Sequence, residues 1–193
     1  PWLTGFALLF ILYGYIGGLI LAPADYQQGN GFRILYVHVP SAFLSLMIYS
    51  FMAINAGIFL VWRIKIADIL IRASAPIGAW FTVIALVTGS LWGKPMWGTF
   101  WIWDARLTSE LILLFLYIGL IALQSAIRDS QQAARAGAFL LIIGFIDIPI
   151  IHYSVYWWNT LHQGASLSLF EKPKIALPML YPLLSMILGY VFY

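Results

Sequence analysis

Residues 36–62 read YVHVPSAFLSLMIYSFMAINAGIFLVW, a stretch without a single Asp, Glu, Lys or Arg. A helix that crosses a bilayer needs about 20 consecutive apolar residues. This stretch is therefore long enough to span a membrane. Because comparable runs recur along the whole chain, the sequence predicts an all-α, polytopic membrane protein.

The composition agrees with a membrane protein. Of the 193 residues, 63% are apolar and only 9% are charged, whereas soluble domains carry about 25% charged residues. No linker divides the chain, so residues 1–193 are expected to form a single integral-membrane domain. The sequence begins at Pro1 rather than at a methionine and ends at Tyr193 inside an apolar run, so both termini are expected to be trimmed.

The charged and sulfur-containing residues exclude several classes of function. The chain has no cysteine, which rules out disulfides, thiolate metal sites, iron–sulfur clusters and covalent attachment of haem to a C-x-x-C-H motif. The net charge of +3 is too small to indicate a nucleic-acid partner. The basic residues are better interpreted as signals of membrane topology.

The apolar runs predict six transmembrane spans, each close to the length that a bilayer requires. Their approximate bounds are Trp2–Ala22, Tyr36–Trp62, Ala73–Trp92, Leu107–Ile127, Ala136–Tyr156 and Ile175–Tyr193.

Basic residues give the orientation of the spans. Arg63, Lys65, Arg72, Arg128 and Arg135 occupy the two short loops after spans two and four, which are expected to face the cytoplasm. Five others occupy three longer loops on the opposite side: Arg33, Lys94, Arg106, Lys172 and Lys174. The count is a tie, so the density of charge in the short loops decides the orientation.

The loops after spans one, three and five must share one side of the membrane, which is expected to be the outer side. That side carries six of the nine tryptophans and two of the three histidines: Trp92, Trp97, Trp101, Trp103, Trp157, Trp158, His38 and His162. This asymmetry is the main functional signal of the chain.

The densest part of this aromatic set is WGTFWIWD, residues 97–104. Tryptophans gather at membrane interfaces because indole is amphipathic, but three of them within seven residues beside an Asp exceed an ordinary interfacial belt. Gly93, Pro95 and Gly98 predict an irregular segment rather than a continuation of span three. In an extended segment Trp97, Trp101 and Trp103 would share one side, forming an aromatic surface suited to a large planar ligand.

His38 and His162 are the candidate ligands of this surface. Pro40 fits the first turn of span two, which places His38 at the mouth of the span. Each histidine taken alone could be a hydrogen-bonded interfacial residue. Two of them on one side, next to the tryptophans, instead favour axial ligation of haem iron. His152, within span five, is a weaker alternative.

Two acidic residues lie within predicted spans, and both have ordinary structural explanations. Asp147 and Pro149 are consistent with a capped kink, although an intramembrane carboxylate is also a functional candidate. Glu110 is placed to pair with Arg106 four residues earlier, or with Lys94 across the loop.

Three motifs resemble one family closely: YVHVPSA, GKPMWGTFWIWDARLTSELILLFLY and PIIHYSVYWWNTLHQG. They are similar to the WWD proteins that handle haem in membranes, and within those to the CcmC family of the cytochrome c maturation pathway. The haem-ligating synthases of the WWD group typically read WDP, whereas this chain has Asp104-Ala105-Arg106. The family typically continues past span six into a basic cytoplasmic tail, and this sequence stops before it.

The resemblance implies a protein of the bacterial inner membrane with its WWD segment, about residues 92–106, in the periplasm. It implies haem b, bound non-covalently between His38 and His162 against Trp97–Asp104, and presented to the membrane-anchored haem chaperone CcmE. It further implies a complex with the ABC transporter CcmAB and the small protein CcmD. ATP-driven release would belong to the transporter, and this chain has no P-loop motif. The role implied is haem transfer and not catalysis.

Lys94, Arg106 and Arg33 are the candidate partners of the haem propionates, and Asp104 is expected to position the loop. Three other functions remain open: a haem-ligating synthase, a membrane quinol oxidoreductase and a small-solute permease. An oxidoreductase usually needs haem ligands buried within the spans, and a permease needs polar residues along several helices. Asp147 alone is weak evidence for a permease.

Overall fold

The computed structural model describes residues 2–162 and 175–193, and these residues contain helices and no strands. Lys172 and Lys174, which entered the topology argument, lie outside the described residues. The helices are α1 (Trp2–Tyr15), α2 (Leu35–Trp62), α3 (Lys65–Trp97), α4 (Ala105–Ala126), α5 (Ser130–Gly144), α6 (Asp147–Trp157) and α7 (Leu177–Phe192). A π-helical turn, Ile16–Leu21, extends α1, and a 3-10 helix, Asn30–Ile34, leads into α2.

The prediction of an all-α polytopic membrane protein is confirmed. Five helical segments are long and apolar enough to cross a bilayer: Trp2–Leu21, Asn30–Trp62, Lys65–Trp97, Ala105–Ala126 and Ser130–Trp157. The sixth predicted span corresponds to α7, a shorter apolar helix of 16 residues. Large apolar side chains project outward along these helices, as a lipid-facing surface requires.

The predicted end of span three is wrong. Helix α3 does not stop at Trp92 but continues through Gly93 and Pro95 to Trp97. It ends at Gly98, whose φ of 79° is left-handed and whose N–H bonds to the Lys94 carbonyl at 3.0 Å. A glycine in this conformation is a common helix terminator. Only residues 98–104 form the irregular segment that was expected from Gly93 onward.

The predicted start of span two, Tyr36, is one residue from the observed helix start, but the placement of Pro40 in the first turn is wrong. Helix α2 begins at Leu35, so Pro40 lies inside the helix rather than in its first turn. His38 is therefore a helical residue. Because proline has no N–H, the Tyr36 carbonyl four residues earlier loses its usual intrahelical donor.

The bundle core is built from α2, α3 and α4, with buried side chains from α5 and α6. Its centre contains Tyr49 and Tyr117, both fully buried, with their rings edge to face at 5.3 Å. The Tyr117 ring lies directly over Gly78 of α3, where a larger residue would collide with it. Helix α7 packs along α1 and buries a smaller apolar cluster around Tyr36 and Leu183.

The fifth span is interrupted just before Asp147, although no side chain caps the helix that follows, contrary to the capped kink considered for Asp147 and Pro149. Helix α5 ends at Gly144 and α6 begins at Asp147. The Ile146 N–H bonds to the Ile143 carbonyl at 3.3 Å, three residues back instead of four. The change of hydrogen-bond pattern marks a local kink.

Candidate functional site

Three segments that precede or follow the spans meet at one end of the bundle. We call this end the rim, formed by residues 22–38, 92–106 and 157–162. Gln28 Oε1 accepts a hydrogen bond from Trp92 Nε1 at 2.9 Å, joining the first segment to the second. His162 Nδ1 lies 3.0 Å from Asp104 Oδ2, joining the third to the second. The rim therefore gathers the loops that topology placed on one side.

A tight turn presents Gln28 to Trp92. Asp25 Oδ1 accepts hydrogen bonds from the backbone N–H groups of Gln27 and Gln28 at 2.9 and 2.8 Å. Gly29 closes the turn with a φ of 56°, a backbone conformation that glycine adopts readily. The first loop is thereby fixed against the outer end of α3.

His38 is held by the facing helix α3. Its Nδ1 lies 3.0 Å from the Ala85 carbonyl oxygen and 3.1 Å from Thr88 Oγ1. The imidazole passes over Gly89, where an added Cβ would come within 3.0 Å of its Cε1. The Trp92 ring stands edge to face with it at 5.7 Å. The ring is thus oriented by a carbonyl, a hydroxyl and an indole.

His162 is held by the loop before α4 and by the end of α3. Its Nδ1 contacts Asp104, and its ring lies 4.7 Å from the Trp97 ring in an edge-to-face arrangement. Burial lowers the pKa of His162 below its ordinary value, while the Asp104 carboxylate opposes that shift. The combination favours a neutral imidazole at neutral pH.

Asp104 has two separate roles, one for each carboxylate oxygen. Oδ1 caps α4 by accepting a hydrogen bond from the Leu107 N–H at 2.8 Å. Oδ2 faces His162 Nδ1. Asp is among the best residues for a helix N-cap, so the cap fixes the carboxylate and the carboxylate fixes the histidine. This agrees with the expectation that Asp104 positions the loop.

The two imidazoles share one arrangement. In both, Nδ1 faces an oxygen acceptor, which places the proton on Nδ1 and the lone pair on Nε2. No hydrogen-bond partner of either Nε2 occurs within the part of the chain that the structure describes. His38 also lies within electrostatic range of His162 and Arg106. The sequence argument placed these residues on one side, and the structure places them in one neighbourhood.

The three tryptophans of the 97–104 segment have different local contacts. Trp97 belongs to α3 and supports His162, while Trp101 and Trp103 pack edge to face with each other at 5.4 Å in the irregular segment. Trp103 is 76% exposed. The Trp101 Nε1 is buried without a hydrogen-bond partner among the described residues.

The candidate cations occupy different environments. Arg106 is half-buried, and its Nη1 donates to the Ile151 carbonyl at 3.3 Å. The exposed Lys94 ammonium donates to the Gly98 carbonyl at 3.1 Å and lies 5.2 Å from the centre of the Phe100 ring. Arg33 instead donates to the carbonyls of Gly18 and Ala22 at 2.8 and 2.7 Å.

The comparisons with known proteins agree on one family. The family described as "CcmC: Heme exporter protein C" matches residues 1–193. The chain is 56% identical to "Heme exporter protein C" of Haemophilus influenzae, over 99% of this chain and 78% of that protein. It is 60% identical to the protein of the same name in Escherichia coli K12, over 86% and 68% respectively. A Bradyrhizobium diazoefficiens protein of that name is 49% identical over 98% of this chain and 72% of its own length.

The chain belongs to the heme exporter protein C family. The resemblance drawn from the sequence motifs is thereby confirmed for essentially the whole chain. Of the residues in the quoted motifs, His38, His162 and the tryptophans of the 97–104 segment lie at the rim.

Two further residues that the sequence analysis considered are His152 and Glu110. His152 is exposed on α6, with its ring against the neighbouring Tyr153. Glu110 forms no ion pair with Arg106 or Lys94 in the described ranges 2–162 and 175–193. It accepts instead from Ser45 Oγ at 2.8 Å. The expected Glu110 pairing is therefore wrong, because the side chain turns inward toward α2 rather than along α4.

Sequence reasoning missed the residues that orient His38. A backbone carbonyl such as that of Ala85 leaves no residue-type signal. Thr88 and Gly89 read as ordinary interior residues of an apolar span. Only the rotation of α3 relative to α2 brings them under the imidazole. The contact of Gln28 with Trp92 was equally unpredictable from the sequence, because it depends on the turn at Asp25.

Proposed function

We propose that the rim binds haem b non-covalently between His38 and His162 and passes it to a membrane-anchored haem chaperone of the CcmE type for cytochrome c maturation. The observation that carries this proposal is the matched arrangement of the two imidazoles, with each Nδ1 at an oxygen acceptor. The relatives named Heme exporter protein C support haem as the transported ligand.

The donor set fits an iron porphyrin. Histidines that ligate metals usually donate their other ring N–H to a carbonyl or a carboxylate, which fixes the ring and raises its basicity. His38 does so toward Ala85, and His162 toward Asp104. Haem supplies the planar iron centre, and the chain supplies two neutral nitrogen ligands.

The surroundings offer contacts for the rest of the haem. Trp103 is exposed beside Trp101 and offers an apolar face for the ring. Arg106 is the strongest candidate for a propionate, because its charge lies within electrostatic range of both histidines. Lys94 remains a second candidate at the exposed edge. Arg33 is the weakest, since two backbone carbonyls already occupy its guanidinium.

Transfer requires that haem be held and then released. A surface site with imidazole ligands suits both needs, because an imidazole of the chaperone can replace one of the chain's own. In this proposal the rim faces the periplasm of the bacterial inner membrane. CcmE docks over the exposed edge, and CcmAB with CcmD forms the surrounding complex. The role is transfer rather than catalysis.

The ligands are tested by the visible spectrum of the purified full chain. His38→Ala and His162→Ala should each lose the low-spin bis-imidazole spectrum. His152→Ala is the matched control, because that exposed histidine lies on α6 and should leave the spectrum intact. A bis-imidazole spectrum that survives in both rim variants would refute the ligand assignment.

The tryptophans are tested separately because the structure divides them. Trp101→Ala with Trp103→Ala should reduce haem content and chaperone loading while both histidines stay in place. Trp97→Ala should act through His162 and weaken one axial bond. Trp62→Ala, at the opposite end of α2 and 66% exposed, is the control. Undiminished loading in the Trp101/Trp103 variant would refute the aromatic contact.

The number of histidines argues against a quinol oxidoreductase. Such proteins often hold two haems and need two pairs of axial ligands. This chain has three histidines in total, too few for a second pair. A haem-ligating synthase would instead yield a thioether product from an apocytochrome, and detection of that product would replace the transfer proposal.

A further inference from the structure

A second polar cluster lies inside the helix bundle, between the rim and the break in the fifth span. It combines hydroxyls and carboxyls from three helices, all of them buried: Ser45 and Tyr49 of α2, Glu110 and Tyr117 of α4, and Asp147 of α6. Polar side chains are expensive inside a bilayer and usually serve a function there. The proposed haem site uses none of these five residues.

One half of this interior cluster is fully hydrogen-bonded. Ser45 Oγ donates to Glu110 Oε1 at 2.8 Å, and Tyr117 Oη donates to the Ser45 carbonyl at 2.8 Å. Glu110 also lies within electrostatic range of Arg106, one turn nearer the rim. This half connects the middle of the bundle to the rim through three consecutive polar groups.

The other half is not paired. Asp147 is 8% exposed and Tyr49 is fully buried, yet neither Asp147 Oδ2 nor Tyr49 Oη has a hydrogen-bond partner in the described part of the chain. The Tyr49 hydroxyl presses against Gly144, the last residue of α5. Asp147 follows three residues later, across the break. The two unpaired groups therefore lie at the same helix break.

The charged groups around Asp147 decide whether its carboxyl is ionised or neutral. Tyr49 faces it from α2, and Glu110 adds a second carboxyl from α4. Tyr117 and Arg106 of α4 lie beyond Glu110. The buried face of α5 offers only Ala, Leu and Gly. No described cation lies within ion-pair distance of Asp147. An ionised carboxylate without such a partner is costly in a bilayer.

We infer that Asp147 is a proton-binding carboxyl of the membrane interior, neutral in the resting protein, with the Tyr49 phenol facing it from α2. A neutral carboxyl needs no counter-ion, and the described part of the chain offers Asp147 none. Discontinuous helices at mid-membrane are a recurrent setting for proton and cation sites. The Ser45–Glu110–Arg106 series gives the site a polar connection toward the rim.

This site is independent of haem, so its test uses infrared spectroscopy on the full chain in lipid nanodiscs. A neutral carboxyl shows a carbonyl stretch that an ionised one lacks. We expect such a band at neutral pH, shifted in D2O. It should disappear in Asp147→Asn and persist in Glu110→Gln. Asp129→Asn is the control, because Asp129 is a cap of α5 in an exposed hydrogen bond.

If the carbonyl band persists unchanged in Asp147→Asn, the inference is overturned, because Asp147 must then be ionised in the wild-type protein. Tyr49→Phe provides a second measurement if the Asn variant does not fold. Loss of the phenol dipole that faces Asp147 should shift the carbonyl band, and an unmoved band would also overturn the inference. Disappearance of the wild-type band on adding sodium but not potassium would identify a sodium site instead of a proton site.

Discussion

Asp104→Asn separates the two roles of one side chain. In the structure Oδ1 caps α4 and Oδ2 faces His162 Nδ1. Asn caps helices as well as Asp does, so the amide oxygen can keep the bond to the Leu107 N–H. The amide nitrogen then faces His162 as a donor. The imidazole must move its proton to Nε2 to accept that bond, and Nε2 loses the lone pair that iron needs.

The expected loss follows from the position of this contact. Replacing a group that orients a metal-ligating histidine typically lowers metal affinity about 10- to 100-fold. That range corresponds to roughly 1.4–2.8 kcal/mol of binding free energy. The helix should remain capped, so the free energy of unfolding should change little. If the amide flips instead, the histidine is satisfied but the cap is lost, at a cost of about 1 kcal/mol.

The measurement is a spectroscopic titration of the haem-free full chain with haem, together with thermal unfolding. Asp129→Asn is a matched control, because Asp129 Oδ1 caps α5 through the Gln132 N–H at 2.7 Å in an exposed hydrogen bond. We expect Asp104→Asn to bind haem at least tenfold more weakly than this control, with a similar unfolding temperature. Equal haem affinity together with an equal unfolding temperature in the two variants would refute the role given to Asp104.

Three other predictions test the pH response, the arginine of the first loop and the core. Burial lowers the pKa of His162, so haem affinity should stay constant down to the ordinary histidine value of about 6.5 and fall only below it, where protons compete with iron. A midpoint above that value would contradict the assignment. Arg33→Gln removes two hydrogen bonds to backbone carbonyls, each worth about 1.5–3 kcal/mol. It should lower thermal stability and leave the haem content per folded protein unchanged, whereas haem loss without destabilisation would make Arg33 a haem contact. Gly78→Ala forces a methyl group into the Tyr117 ring and should cost about 1–3 kcal/mol, measured by thermal unfolding. Gly57→Ala, which meets no neighbour, should be neutral.

The apolar runs predicted the number and order of the helices, because lipid exposure imposes that pattern directly on the sequence. Helix ends were less predictable. Pro40 and Pro95 were treated as boundaries, yet both lie inside helices. Each proline removes one intrahelical hydrogen bond, to Tyr36 and to Leu91 respectively, without ending its helix. The true signal at the end of α3 was Gly98 with its left-handed backbone.

The candidate site was predictable only in part. The parity of the loops brought His38, His162 and the tryptophans to one side, because the number of crossings fixes the side on which each loop lies. Which groups orient the imidazoles was not predictable. Asp104 could be named from its motif, but the Ala85 carbonyl and Thr88 depend on how two apolar helices rotate against each other. Arg33 has the same residue type as a propionate ligand, and only its position reveals that backbone carbonyls hold it.

The two histidines are anchored to parts of the molecule that differ in rigidity. His38 belongs to a long helix, and a second long helix holds its ring through a carbonyl and a hydroxyl. His162 follows the end of α6, and its Nδ1 contacts a single side chain. Detaching His38 from a bound metal would mean displacing one helix against another. Detaching His162 would mean breaking one hydrogen bond and moving the residues that follow α6. A receiving imidazole should therefore substitute first on the His162 side of the porphyrin.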